Sequence, residues 1–259
     1  MSITRHDLAV SLACRAGKLL LDFNRENLSI ATKTTDFDLV TKADFASQQL
    51  IVDNILIEFP KDTIIAEESC MIEGTSGFSW VIDPLDGTVN YAHNFPTFCV
   101  SIGIREGETI TNGIVFDPNR NELFTAQKGS GAFLNGSPIS VSSNGELCKA
   151  MLATGFPYDK SIDTKRNNID YFTKFCLLTR ALRRLGSAAL DLCYVACGRL
   201  YGFWELKLRP WDVCAGALMI LEAGGKVTDF LGFEYDIFNP YILATNGLIH
   251  QEMVYVLEV

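Results

Sequence analysis

Histidine is scarce in this 259-residue chain: His6, His93 and His250 are the only three. None has the spacing to another histidine or to a cysteine that zinc sites show, so zinc is not expected. CxxC pairs are missing altogether. The eight cysteines, Cys14, Cys70, Cys99, Cys148, Cys176, Cys193, Cys197 and Cys214, lie mostly in apolar segments, as free thiols in a reducing cytosol do. Cys193 and Cys197, four apart on an expected helix, read as core packing. No stretch approaches the roughly 18 uninterrupted apolar residues of a membrane span. The opening MSITRHDLAV lacks a signal-peptide pattern and reads as the start of a helix, so a cytoplasmic protein without a membrane partner is expected. Positive charge is in deficit, 22 Lys and Arg against 31 Asp and Glu, for a net charge of −9. That field repels nucleic acid and anionic membrane. It also repels a phosphorylated substrate, so a phosphate site here needs cations to neutralise its carboxylates. With few histidines and no paired thiols, acidic side chains must supply any metal site, which points to a hard cation.

A linker rich in Pro, Gly or Ser is absent too, as are internal repeats and low-complexity segments. At this length one compact unit with a substantial core is expected over 1–259, with a seam at Asn144–Lys149. Apolar residues recur at helical intervals over Thr4–Phe23 (Leu8, Leu12, Ala16, Leu19, Leu20, Phe23), and again over Phe45–Phe59, which stops at Pro60. Between them lies the polar, turn-prone KTTDFDLVTKAD, Lys33–Asp44, so Asp44 falls at or near a helix start. Short β-rich runs follow (TIIAEES, FSWVIDP, FCVSIGIRE, ITNGIVFDP, ELFTAQKG, GAFLNGSPISV) and predict a mostly antiparallel sheet. From Lys149 onward strands and helices alternate, with one helix expected over Asp163–Leu178.

Trp80–Thr88, WVIDPLDGT, is the most informative segment. An apolar run breaks into Asp83 and Asp86 around Pro84, where a strand end is expected and the two acids stand close enough to ligate one or two cations, with the Leu85 carbonyl able to point the same way. Gly87 permits close backbone approach and Thr88 can cap a following helix, forming an anion nest beside the acids. Taken alone, DPLDGT is equally an Asx-type turn. Other acids sit at other element ends. Glu67 and Glu68 follow the buried run TIIA, and Asp212 heads an apolar helix ending in Gly224-Gly225, in the place of an N-cap. Each is bland singly; together they suggest a shared site.

AEES at Ala66–Ser69, DPLDGTVNYAH at Asp83–His93 and WDVCAGALMILEAGG at Trp211–Gly225 resemble the motifs of the inositol monophosphatase family. That family lies within the lithium-sensitive phosphatases that also include fructose-1,6-bisphosphatases. Similarity extends over nearly the whole chain, including DLVTKAD at Asp38–Asp44, ATGFPYD at Ala153–Asp159 and LRRLGSAALDLCYVACG at Leu182–Gly198. The resemblance implies an α/β (α+β) fold, a layered αβαβα sandwich. It gives a metal- and phosphate-binding half over 1–146 and a substrate-binding half over 147–259. It also implies a homodimer, and Mg²⁺, two or three ions per site, with Mn²⁺ as a substitute and Li⁺ as an inhibitor. Glu67, Asp83 and the Leu85 carbonyl would hold a first ion, Asp83, Asp86 and Asp212 a second, and Glu67 with waters a weaker third. Asp44 paired with Thr88 would orient or deprotonate an attacking water acidified by metal. Phosphate would rest on the metals and the N–H groups of Gly87 and Thr88, and in-line displacement would proceed without a phosphoenzyme.

For the alcohol, the family pattern implies Asp86, the turn Gly186-Ser187-Ala188 and Glu205. A small-molecule phosphate monoester, foremost myo-inositol monophosphate, is the expected substrate. Fructose-1,6-bisphosphate, histidinol phosphate and NADP are alternatives, and 3′-phosphoadenosine 5′-phosphate ranks below them. Lys207 and Arg209 put two cations between Glu205 and Asp212, in place to meet a second phosphate. The run LRPWD at Leu208–Asp212 is, however, also similar to bacterial members that double as transcription antitermination factors, so a regulatory protein that contacts the transcription machinery is the alternative of another class. Arg183 and Arg184, beside the Gly186 turn, read as a solvated pair or as contacts to substrate or a neighbouring subunit.

Overall fold

The computed structural model describes residues 3–24, 30–32, 39–157 and 167–258. Within these, seven α-helices and two principal sheets alternate in layers. The first layer is α1 (Arg5–Asn24) and α2 (Lys42–Glu58), with the short antiparallel pair β1 (Ile30–Thr32) and β2 (Leu39–Thr41) between them in the chain. Leu8, Leu12, Ala16 and Leu20, spaced as the sequence requires of one face, are buried with Ile51 and Ile55 of α2. Asp38 and Lys33 of the polar segment lie outside the described residues.

Beneath the helices lies a seven-stranded sheet in sequence order: β3 (Thr63–Ala66), β4 (Phe78–Asp86), β5 (Cys99–Glu106), β6 (Thr109–Asp117), β7 (Glu122–Gln127), β8 (Gly131–Leu134) and β9 (Ser137–Pro138). All neighbours are antiparallel except β3 and β4. A short helix α3 (Thr88–Ala92) follows β4. The other face of this sheet packs on α5 (Ala188–Ala196) and α6 (Pro210–Glu222), which also cover a second sheet. That sheet has β10 (Met151–Thr154), β11 (Ala181–Arg183), β12 (Gly202–Leu206), β13 (Lys226–Thr228) and β14 (Tyr241–Thr245), ordered β11-β10-β12-β14-β13. β14 runs antiparallel to β12, and β13 runs antiparallel to β14. Phe175 of α4 (Ile169–Leu178) and Met253, Val254 and Leu257 of α7 (His250–Glu258) cover its outer face. The order helix, sheet, helix, sheet, helix matches the expected sandwich. The expected helix over Asp163–Leu178 is α4; Asp163 itself, with Tyr158 and Asp159 of ATGFPYD, lies outside the described residues.

Close backbone approach fixes the central layer against the first sheet. Gly103 on β5 and Gly113 on β6 face each other in register, and α6 rests on this pair. A methyl group at Gly103 would land on the Cys214 side chain and one at Gly113 on the Ala215 backbone. Two paired glycines thus let α6 sink toward the sheet. Its first turn, carrying Asp212, is thereby delivered to the end of β4.

Candidate active site

The expected strand end at Asp83 is instead a bulge. β4 continues to Asp86, but Asp83 pairs with Ser101 and Asp86 with Cys99. Three steps on one strand therefore match two on its neighbour. In a regular strand, residues three apart point to opposite faces. The extra residue restores both aspartates to one face, the side of α5 and α6, and bulges re-aim side chains in this way. The Asx-type geometry is present as well: Asp83 Oδ1 accepts the Leu85 N–H at 2.9 Å. Ser47 of α2 donates to the Pro84 carbonyl at 2.8 Å and Gln48 accepts the Glu68 N–H at 2.9 Å. Asp44, Ser47 and Gln48 share one helical face at i, i+3 and i+4 and are buried there. The polar trio on a face that should be apolar is the signal in the sequence for Ser47 and Gln48; Asp44 alone was singled out, as an acid at a helix start and from the family motif.

Thr88 is not the cap of α3. Gly87 takes that position with φ 95°, a left-handed conformation that glycine adopts without strain. The Thr88 hydroxyl lies 3.2 Å from Asp44 Oδ1 and 3.1 Å from the Leu85 carbonyl, with one proton to give to either. Asp212 likewise is not the N-cap but the third residue of α6, and its carboxylate reaches back to accept the Arg209 N–H at 2.7 Å. Ser187 is the true cap of α5. Its hydroxyl donates to Asp86 Oδ2 at 2.6 Å, and the Ala189 N–H adds a second bond at 2.8 Å. Asp86 therefore locks the end of β4 to the start of α5.

The acids raise one another's proton affinity. Burial first, then the Glu67, Asp86 and Asp212 carboxylates, push Asp83 well above the usual carboxylate range. Burial raises Asp86 to about 6 against the pull of its Ser187 and Ala189 donors. Asp212, at the rim of the cavity, is raised by burial and by Asp86 while the Arg209 N–H opposes. Among the described residues no three His, Cys, Asp or Glu side chains already stand at metal-ligating spacing. The fit to a hard divalent cation rests on donor chemistry: Glu67, Asp83, Asp86 and Asp212 are charged neighbours, all oxygen donors, on a bulge that turns two of them to one side.

A cavity of about 110 Å³ opens beside these acids, lined in part by Asp86, Asn90, Gly186, Ser187, Ala188 and Asp212. Glu205, expected from the family pattern to meet the alcohol, is buried and also lines it. Asn90, Asp191 and Phe156 are among the lining residues that the sequence did not single out. Asn90 donates to the Thr97 and Leu185 carbonyls, each at 2.7 Å, and so clamps the Gly186 turn to α3. Asp191 and Phe156 gave no separable signal, the one inside an apolar helix and the other beside a turn. Arg184 lines the cavity, whereas Arg209 is exposed at the cap of α6 and does not.

Acids of β4, β12 and α6 thus meet beside one cavity between the two sheets, an arrangement that fits the phosphoric monoester hydrolase shown by comparison with known proteins. The model of the inositol monophosphatase family matches residues 4–257, and the chain belongs to that family, whose members are generally metal-dependent. It is 43% identical over 248 residues to an inositol-1-monophosphatase of Synechocystis, covering 95% of this chain and 86% of that one. To the Nus factor SuhB of Escherichia coli it is 42% identical over 250 residues, covering 96% and 93%. Its fold superposes on an inositol monophosphatase structure from Anabaena with a TM-score of 0.89 at 42% identity, covering 98% of this chain and 94% of that one. No helix among the described residues is long and apolar enough to cross a membrane.

Proposed function

We propose that the protein hydrolyses the phosphate monoester of a small polyol, myo-inositol monophosphate foremost, with Mg²⁺. The observation that carries this reading is the β4 bulge, which turns Asp83 and Asp86 to one face beside Asp212, Glu67 and the Asp44–Thr88 pair. Glu67, Asp83 and the Leu85 carbonyl would hold one cation, Asp83, Asp86 and Asp212 a second, and Glu67 a third. Bound cations supply Lewis-acid stabilisation of the phosphoryl oxygens and an acidified water. The chain's own groups do the rest. Asp44 accepts the Thr88 hydroxyl and the pair orients the attacking water. The N–H groups of Gly87 and Thr88 hold phosphate oxygens. Ser187 and the Ala189 N–H keep Asp86 from rotating, so its other oxygen stays directed at the site. Glu205 with the Gly186–Ala188 turn receives the alcohol.

A panel of phosphate release from myo-inositol monophosphate, fructose-1,6-bisphosphate, histidinol phosphate, NADP and 3′-phosphoadenosine 5′-phosphate tests the reading. The inositol ester should be turned over fastest, with inhibition by lithium and with Mn²⁺ replacing Mg²⁺; equal slow rates on all would defeat it. Light scattering on the same preparation should give twice the mass of one chain, and a single chain's mass would refute the homodimer. The likeness to the Nus factor SuhB favours a second reading, a regulatory role in the cytoplasm alongside catalysis. Recovery of transcription machinery on the immobilised protein supports that role, and its absence removes it.

A further inference from the structure

One end of the cavity carries more acid than metal binding or the capping of helices explains. Asp191, in the first turn of α5, is 1% exposed, and its Oδ1 has no hydrogen-bond partner among the described residues. Its charged neighbours are Glu205, Asp86 and, with opposite sign, Arg184. Glu205 neighbours Asp212 and Asp86, so Asp191 lies a step farther than Glu205 from the acid of α6. All three of Asp191, Glu205 and Arg184 line the same cavity. Gly155 seats Glu205: a methyl group there would overlap both of its carboxylate oxygens. The helix dipole accounts for an acid in the first turn of α5. It does not account for burying that acid, with an acceptor unused, in a wall that already holds other carboxylates, an arrangement that weakens the fold unless a donor fills it.

We propose that Asp191 is a specificity-determining residue that accepts a hydroxyl of the alcohol beyond the one Glu205 receives, so that the cavity selects cyclic polyols with adjacent hydroxyls. This rests on the polyol phosphatase reading and deepens it. A ring with neighbouring hydroxyls presents two donors at one edge, matching two acceptors, Asp191 and Glu205, on one wall. An alcohol lacking them leaves both buried acceptors unpaired, which is how a polar site rejects the wrong substrate. Gly155 is a positioning residue that acts through Glu205.

The test measures kcat/KM for myo-inositol monophosphate and for p-nitrophenyl phosphate, whose alcohol has no second hydroxyl, on the intact Mg²⁺-loaded protein. Asp191→Leu removes the acceptor while keeping the branched shape, and the isosteric Asp191→Asn keeps one acceptor oxygen. The Leu variant should lower kcat/KM for the inositol ester roughly 10- to 100-fold, mainly through KM, and the aryl ester by a much smaller factor. Asn should fall between Leu and wild type. The Leu variant should also unfold at a higher temperature, because it removes a buried acid with an unused acceptor, kept for function at the expense of stability. Gly155→Ala should lower the same ratio. An unchanged ratio of the two substrates in the Leu variant, whether both rates fall together or neither moves, overturns the proposal, as does a lower melting temperature. If instead the wild-type protein itself shows no preference for the inositol ester, the polyol reading fails.

Discussion

Thr88 shows how much of the site is decided one residue at a time. Its single hydroxyl proton stands between two acceptors, Asp44 Oδ1 at 3.2 Å and the Leu85 carbonyl at 3.1 Å. In the proposed mechanism it goes to Asp44, and the hydroxyl oxygen accepts from the attacking water. Thr88→Ala should therefore lower kcat on the order of 10²-fold with little change in KM, while Thr88→Ser keeps most of the activity; positioned proton-handling groups contribute on this scale. Steady-state kinetics with saturating Mg²⁺ would show it, and an Ala variant as fast as wild type would remove Thr88 from the water's contacts. The acids themselves stood out in the sequence at expected element ends, Glu67 and Asp83 after apolar runs, Asp212 before one and Asp44 at a helix start. Their common orientation did not. Asp83 and Asp86 are three apart, which on a regular strand means opposite faces, and nothing in D-P-L-D says that a bulge will reunite them. Asp191 was hidden for another reason: one acid in an apolar helix does not declare whether it meets solvent or a cavity.

At the scale of elements, the site depends on how near helices come to strands. Periodicity located α1, α2 and α6 to within a few residues. The residues that set the depth of α6, Gly103 and Gly113, look in sequence like ordinary interruptions of two strands, since their role exists only once the strands are in register. The outer layer carries a clamp of a different kind. His250, the first residue of α7, is held between Thr228 at 3.0 Å from Nε2 and Thr245 at 2.8 Å from Nδ1. Thr228 gives its own proton to the Asp229 carbonyl, so it accepts from Nε2–H, and Nδ1 must accept from Thr245. The clamp requires a neutral ring. Burial, with help from the Lys226 charge, lowers the His250 pKa to about 4. The unfolded chain, with a pKa near the ordinary 6.5, binds a proton that the folded ring refuses. Stability from this group is complete above about pH 6.5 and is lost as pH falls toward 4. Denaturant midpoints measured at pH 7 and pH 5 should show wild type losing more than His250→Gln across that interval; the same loss in both would place the acid sensitivity elsewhere.

Over the whole molecule, a chain of net charge −9 concentrates carboxylates between two sheets, at the meeting of β4, α5, α6 and β12. Asp83 and Asp86 come from the first sheet, Glu205 from the second, and Asp212 from the helix layer that both share. Hydrophobic periodicity could predict the strands and helices but not the order of the layers, because each helix face is apolar without naming the sheet it covers; the family motifs supplied that order. Such a cluster is tolerable when cations neutralise it, and Asp83 is the ligand that two of them would share. The direct test is phosphate release from myo-inositol monophosphate by wild type and Asp83→Asn as Mg²⁺ is titrated from chelated to saturating, with circular dichroism on both. Wild-type activity should rise from the baseline and saturate, while the Asn protein stays folded and loses nearly all turnover at every concentration. Turnover by wild type in the presence of chelator, or substantial activity of folded Asp83→Asn at saturating Mg²⁺, would contradict the account.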